Sequence, residues 1–320
     1  LSSQKRKNAN ASSQTGEVPL LYIQGYWRSI LPTKKTLESQ IQKLELQLSP
    51  SERTLAEKRA QYYCASLLGS PFSGTHTVAA LRHPKSPKAY YFDTYEYVRF
   101  CSTTLPVDFV FGDVTHIPSV PSLVKSRPII PENKNSVLLN MDKARHFIWV
   151  RDSKRWEDKE DRLIGMGAIY QQHRYDFFEK YFGHPLCELG DVGKNGIGHP
   201  EWHRPKRTIP QHLNYKFILS LQGNDVATNL KWIMSSHSIA VMPPPTIETC
   251  FMEGCLQGGY HYIELRPDYE DLEEKLLYYL AHPAEANAII EHANAYCAQF
   301  FNPRLEDFCS LLVLERFYER

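Results

Sequence analysis

YKFILSLQGNDVATNLKWIMSSHSIAVMPPP, residues 215–245, decides the reading of the fold. Phe217 to Leu221 is a short apolar run bounded by Gly223, the pattern of a buried parallel strand. Gly223-Asn224-Asp225 reads as a tight turn, because glycine adopts φ > 0 without a Cβ clash. From Ala227 to Ser236, apolar residues at Ala227, Leu230, Ile233 and Met234 keep a helical spacing. Ser238 to Met242 reads as a second strand, ended by Pro243-Pro244-Pro245. Strand, turn, helix and strand make one βαβ unit, the building block of doubly wound α/β domains. Ligands of such sheets sit at the carboxyl ends of the strands, where a helix start offers free N–H groups to an anion. On pattern alone, a structural crossover with no ligand fits equally well.

Working outward, 320 residues suffice for two domains with cores of their own. No run of 18 apolar residues occurs, and the opening LSSQKRKNANASSQTGEV has no apolar signal-peptide core. The 37 Lys and Arg nearly balance the 36 Asp and Glu, so net charge points to no polyanionic partner such as nucleic acid. Seven dispersed cysteines with no C-x-x-C spacing read as reduced thiols. The expectation is a soluble cytoplasmic α/β protein.

Residues 1–18 read as a disordered polar tail. The aromatic segment Leu20 to Leu31, followed by Lys34-Lys35, reads either as a helix packed on its own domain or as a membrane-surface contact. Leu37, Ile41, Leu44 and Leu48 mark an amphipathic helix, and Ser49-Pro50-Ser51-Glu52 is a capping box opening another to about Leu68. Ala89 to Phe92 is expected as a strand, Thr94 to Cys101 as a helix, and Val107 to Phe111 and Phe147 to Val150 as strands. A strand at Leu163-Ile164 leads through Gly165-Met166-Gly167-Ala168 into a helix ending near Phe182. This G-x-G lacks the third glycine of a dinucleotide fingerprint. His199-Pro200-Glu201-Trp202-His203 lacks the one-face helical spacing of a zinc motif, and Pro200 opposes helix, so no metal is expected. Asp113 ends the Val107 to Phe111 strand and faces a long loop, a place for either a catalytic carboxylate or a turn residue. His116 in that loop is the second candidate base, since imidazole titrates near neutrality.

FILSLQGNDVATNLKWIMSSHSIAVMPPP, together with ETCFMEG and YHYIEL, resembles the bacterial lipopolysaccharide-core branch of glycosyltransferase family 90, over about Tyr22 to the C-terminus. The resemblance implies a GT-B-like architecture, two Rossmann-like domains facing a cleft. It assigns 19–155 to the acceptor side, 156–302 to the nucleotide-sugar side, and 303–320 to a helix packing back on the first. GDVTHIPSVPSLVKSRPI looks like the family's Asp-containing loop, which gives Asp113 the role of general base and makes His116, Pro118 and Glu248 candidate acceptor or loop residues. On the donor side it implies Gly167, Arg174, Gly223, Asn224, Asp225, Ala227, Thr228, Asn229, Lys231 and Glu253, with Glu253 accepting from the donor ribose. Two positions depart from the family: Met166 stands where an Arg is usual, and Cys250 where a Trp is usual.

The activity implied by the resemblance is that of an inverting hexosyltransferase. It would move glucose or galactose from a UDP-sugar to the inner-core oligosaccharide of lipopolysaccharide or lipooligosaccharide, at the inner face of the inner membrane. No D-x-D ends an expected strand, so the diphosphate would be held by Arg174, Lys231 and the helix start at Ala227-Thr228-Asn229. UDP-sugar is then a co-substrate, and no cofactor is implied. Alternatives are transfer to another glycan or a protein hydroxyl, and a weakened paralogue, altered at Met166 and Cys250, that binds without turnover.

Overall fold

Two reciprocal capping boxes open the first two helices of the computed structural model, which describes residues 35–64, 76–81, 88–194 and 196–318. The tail 1–18 and the segment Leu20 to Leu31 lie outside the described residues, as does the expected helix end near Leu68. Thr36 caps α1 (Leu37–Glu45), and Ser49 caps α2 (Pro50–Tyr63), whose Glu52 accepts a 2.8 Å bond from the Ser49 N–H. The strand expected at Ala89 to Phe92 is instead the first turn of α3 (Lys88–Val98). Its buried residues Tyr90, Tyr91, Thr94, Tyr97 and Val98 recur at helical spacing, and the aromatic run at its start satisfies either period. Strands β1 (Phe109–Val110), β2 (Ser122–Val124) and β4 (Ser136–Leu138) form a small parallel sheet in the order β1-β2-β4, with β3 (Arg127–Pro128) leaving it. One helical turn, α4 (Lys143–His146), comes next. Phe147 to Val150 is no strand: Phe147 and Trp149 pack on Phe300, and the Val150 N–H bonds the Ser235 hydroxyl at 3.1 Å.

Beyond residue 159 the chain alternates β5 (Glu160–Gly167), α5 (Gln172–Tyr181), β6 (Cys187–Asp191), α6 (Ile209–His212), β7 (Tyr215–Leu219), α7 (Leu230–Met234) and β8 (Ile239–Met242). Then come β9 (Ile247–Glu248), β10 (Ile263–Glu264), α8 (Leu272–Ala281), α9 (Pro283–Ala298) and α10 (Pro303–Tyr318). The sheet is all parallel in the order β10-β8-β7-β5-β6. Renumbered within this half, that is the doubly wound order 2-1-3-4-5, whose switch point lies between β5 and β7. Several boundaries differ from expectation. β5 runs through Gly165, Met166 and Gly167 instead of stopping at Ile164, and β7 begins at Tyr215. α7 is five residues long, opening at Leu230 and not at Ala227, and the strand that the run Tyr260 to Leu265 predicts is only Ile263–Glu264.

Neighbouring strand residues divide between two cores, as the period of two requires. Leu163, Phe217, Leu219, Ile239 and Val241 pack on the face that carries α5 and α8. Ile164, Ile218, Ala240 and Met242 join the core that includes β2, β4 and α10. With both faces covered, the strands read as continuous apolar runs. α10 packs on α2, where Arg59 donates to both carboxylate oxygens of Glu306 at 2.6 and 2.8 Å and lies over Phe300 at 4.4 Å. β3 and β9 pair antiparallel with Arg127 opposite Glu248, a second stitch between segments remote in sequence.

Candidate active site

The β5–β7 switch point is filled by one side chain. Arg174, on the first turn of α5, donates from Nε to the Gln222 carbonyl (2.8 Å), from Nη1 to the Ala168 carbonyl (2.9 Å) and from Nη2 to the Leu221 carbonyl (2.8 Å). It thus ties the carboxyl ends of the two strands together. Gly167 and Gly223 line this bracket: a Cβ at either would lie 3.6 or 3.5 Å from the guanidinium. A guanidinium has five N–H groups, so two remain for a ligand after these three bonds. His173 sits beside it, its ring bonded to the Gln222 carbonyl at 2.9 Å.

Asp113 reaches the mouth of this crevice from the other half of the chain. Its Oδ1 accepts from Lys125 Nζ at 2.6 Å and from the Tyr90 hydroxyl at 3.2 Å, and Arg145 lies 3.6 Å away. Its Oδ2 accepts a longer 3.3 Å bond from Asn224, whose own carbonyl is held by Gln171 at 2.9 Å. One oxygen is therefore saturated, while among the described residues the other is held only by an exposed amide that a substrate hydroxyl can replace. Burial pushes the Asp113 carboxyl up, but the Lys125 hydrogen bond and charge, Asn224 and Arg145 outweigh it and leave the group below the usual carboxylate range. Asp113 is ionised throughout the neutral range.

The ammonium of Lys125 also stands 2.6 Å from Asp225 Oδ2 as an ion pair, and both side chains are buried. Burial pulls the Lys125 pKa down, and the two carboxylates more than restore it. Asp142, a left-handed residue at φ 57, holds Arg145 at 2.7 Å, and burial raises its carboxyl. Burial lifts the Tyr90 hydroxyl to about 12, so it stays a donor. His146 is buried beside this group; burial and the charges of Lys231, Lys125 and Arg145 push its pKa far down, so it is neutral.

The remaining residues singled out from sequence lie elsewhere. Lys231 and Glu253, expected to face the donor, face each other at 2.9 Å, fully buried, with the ammonium over the rings of Phe147 and Phe251. Glu248 is buried between Arg127 at 2.8 Å and the Tyr62 hydroxyl at 2.5 Å. With α7 starting at Leu230, Ala227 is buried, Thr228 is exposed, and Asn229 turns back to the Leu219 carbonyl and the Ser220 hydroxyl. His116 is exposed on its loop, and the Pro118 carbonyl accepts from Asn135 at 3.0 Å. Trp202 is packed among Tyr175, Phe178 and His199, and no group of metal-binding side chains occurs among the described residues. Met166 packs against the core with its sulfur over Gly190, and Cys250 is buried with its carbonyl accepting from Tyr63. Sequence reasoning missed Lys125, Tyr90, Arg145 and Asp142. Lys125 carried one signal, its place directly after an apolar strand.

A doubly wound sheet with an Arg-bridged switch point, faced across its mouth by an ionised carboxylate, defines an α/β protein with a guanidinium and a carboxylate together at the carboxyl ends of its strands, where such sheets take their ligands. The model of glycosyl transferase family 90 matches residues 200–310, which include the Gly223-Asn224-Asp225 turn. The chain is also similar to O-glucosyltransferase LpsA of Dichelobacter nodosus, 40% identical over 301 residues, 93% of this chain and 94% of that protein. The chain belongs to glycosyltransferase family 90 and is a glycosyltransferase.

Proposed function

We propose that the protein moves a hexose, glucose in first place and galactose in second, from a UDP-sugar to the inner-core oligosaccharide of lipopolysaccharide or lipooligosaccharide, with inversion. The contact between Asp113 Oδ2 and Asn224 carries this reading, since it sets a carboxylate against the turn at the switch point. The relative's description as an O-glucosyltransferase supports glucose. In the reaction, Asp113 Oδ2 takes the proton of an acceptor hydroxyl. The acceptor oxygen forms its bond to the anomeric carbon on one face while the bond to UDP breaks on the other. A weakly basic carboxylate suffices, because the reacting carbon is oxocarbenium-like and draws the proton off late. The two remaining N–H groups of Arg174 and the backbone of the Gly223 turn receive the charge that develops on UDP, so the reading needs no metal and no cofactor.

The halves 19–155 and 156–302, with 303–320 returning to the first, serve in this reading as the two Rossmann-like domains of a GT-B enzyme. It works in the cytoplasm, peripherally at the inner face of the inner membrane. Among the described residues no helix is long and apolar enough to cross a membrane. Thermal unfolding with UDP, ADP, GDP and CMP tests the donor, because a ligand that binds only the native state raises the melting temperature. A shift with UDP alone is expected. No shift with any nucleotide, or equal shifts with all four, would contradict the proposal.

A further inference from the structure

Lys125 comes directly after β2, where the strand ends against the loop of Asp113. Its backbone neighbour fixes that approach: the Ser126 hydroxyl accepts from the Val114 N–H and donates to the Val114 carbonyl, both at 3.1 Å. Residues 113–114 and 125–126 are thereby held side by side. The ammonium, 2% exposed, then stands 2.6 Å from Asp113 and 2.6 Å from Asp225, the last residue of the Gly223 turn. An ammonium is buried only where opposite charge offsets the loss of its hydration, and here two carboxylates do so.

We infer that Lys125 is a positioning residue for transfer: one ammonium shared between Asp113 and Asp225 fixes the base against the donor turn and holds it ionised. The inference rests on the reading of Asp113 as the base. The groups facing this pair are Tyr90 from α3, Asp142, Arg145 and the neutral His146 from the α4 turn, and Asn224 and Asp225 from the Gly223 turn. Of these, only Asp225 competes with Asp113 for the ammonium within ion-pair distance. Sharing makes a prediction with two opposite signs. Lys125→Met leaves two carboxylates facing each other without their common cation, so the Asp113 carboxyl titrates higher. Asp225→Asn leaves the ammonium to Asp113 alone, so it titrates lower. A role confined to packing predicts neither.

The test is a carbon-13 NMR titration of the full chain labelled at aspartate carboxyls, with Asp113→Asn to assign the resonance. The expected upward shift in Lys125→Met is about one to three pH units, the range for losing an opposite charge at contact distance. The expected change in Asp225→Asn is downward. If Lys125→Met does not fold, as circular dichroism will tell, the Asp225→Asn titration decides alone. An Asp113 carboxyl that stays put, or moves the same way in both folded variants, overturns the inference. The acid limb of the rate of glucose transfer from UDP-glucose, measured on the same proteins, tests the underlying reading. A carboxyl that shifts while that limb does not removes Asp113 as the base.

Discussion

Replacing Arg174 by Met separates a guanidinium that braces the switch point from one that only waits for a diphosphate. The wild-type side chain makes three charge-assisted bonds, of 2.8, 2.9 and 2.8 Å, to carbonyls at the ends of β5 and β7. Such bonds contribute roughly 1.5–3 kcal/mol each, so a plain sum of about 4.5–9 kcal/mol is an upper bound. Ala168 and Gln222 are partly exposed, and their carbonyls recover water when the Arg is lost, whereas Leu221 is buried. One unsatisfied buried carbonyl plus the loosened strand ends puts the loss near 3 kcal/mol. Arg174→Lys keeps the charge but not the planar fork, so it recovers only about 1 kcal/mol. The assay is urea unfolding by linear extrapolation, on variants whose m-value matches wild type, so that the midpoint reports stability. In a chain of this size the Met variant should also melt roughly 4–5 °C lower. A loss under about 1 kcal/mol in a folded Arg174→Met protein would refute the bracing role.

Arg59→Met strands the Glu306 carboxyl, which burial already pushes up, and should cost about 3–5 kcal/mol. Arg59→Met with Glu306→Leu should recover most of that in a double-mutant cycle, and additive losses would contradict the pairing. Asp93 is raised to about 6 by burial, against the pull of Lys143. Its folded pKa lies above the unfolded one, so the native state binds the extra proton between them, and stability falls as pH rises from about 4 to about 6. Asp93→Asn lacks that slope. The stability of wild type relative to this variant should therefore drop by up to about 3 kcal/mol between pH 4 and pH 7, and parallel curves would count against a desolvated Asp93 carboxyl, which is half-buried beside Lys143.

The βαβ unit at residues 215–245 was legible because two buried strands and a glycine turn leave few alternatives. The capping box at Ser49 was legible for a local reason, since both partners lie within three residues. α3 was misread because Tyr and Phe favour strands and its aromatic run fits either period. Arg174 could be singled out, but its three backbone partners sit 6, 47 and 48 residues away and leave no local pattern. Lys231 carried a usable warning: it stands in Leu230-Lys231-Trp232-Ile233-Met234, all buried, and an ammonium there requires a carboxylate, which Glu253 supplies. Lys125 carried only its place after a strand, and nothing local named its partners. Its partners, 12 and 100 residues away, meet it only where the small sheet and the switch point approach.

Glucose transfer from UDP-glucose to a lipopolysaccharide-core oligosaccharide by Asp113→Asn, with UDP-induced thermal stabilisation read on the same sample, tests the central claim most directly. Asn preserves the shape and a hydrogen-bonding oxygen for Lys125 but cannot take the acceptor proton. Transfer is expected to fall by about two orders of magnitude or more, the usual worth of a general base, with the UDP shift retained. Transfer within a few-fold of wild type, in a variant that still binds UDP, would contradict a general-base role for Asp113.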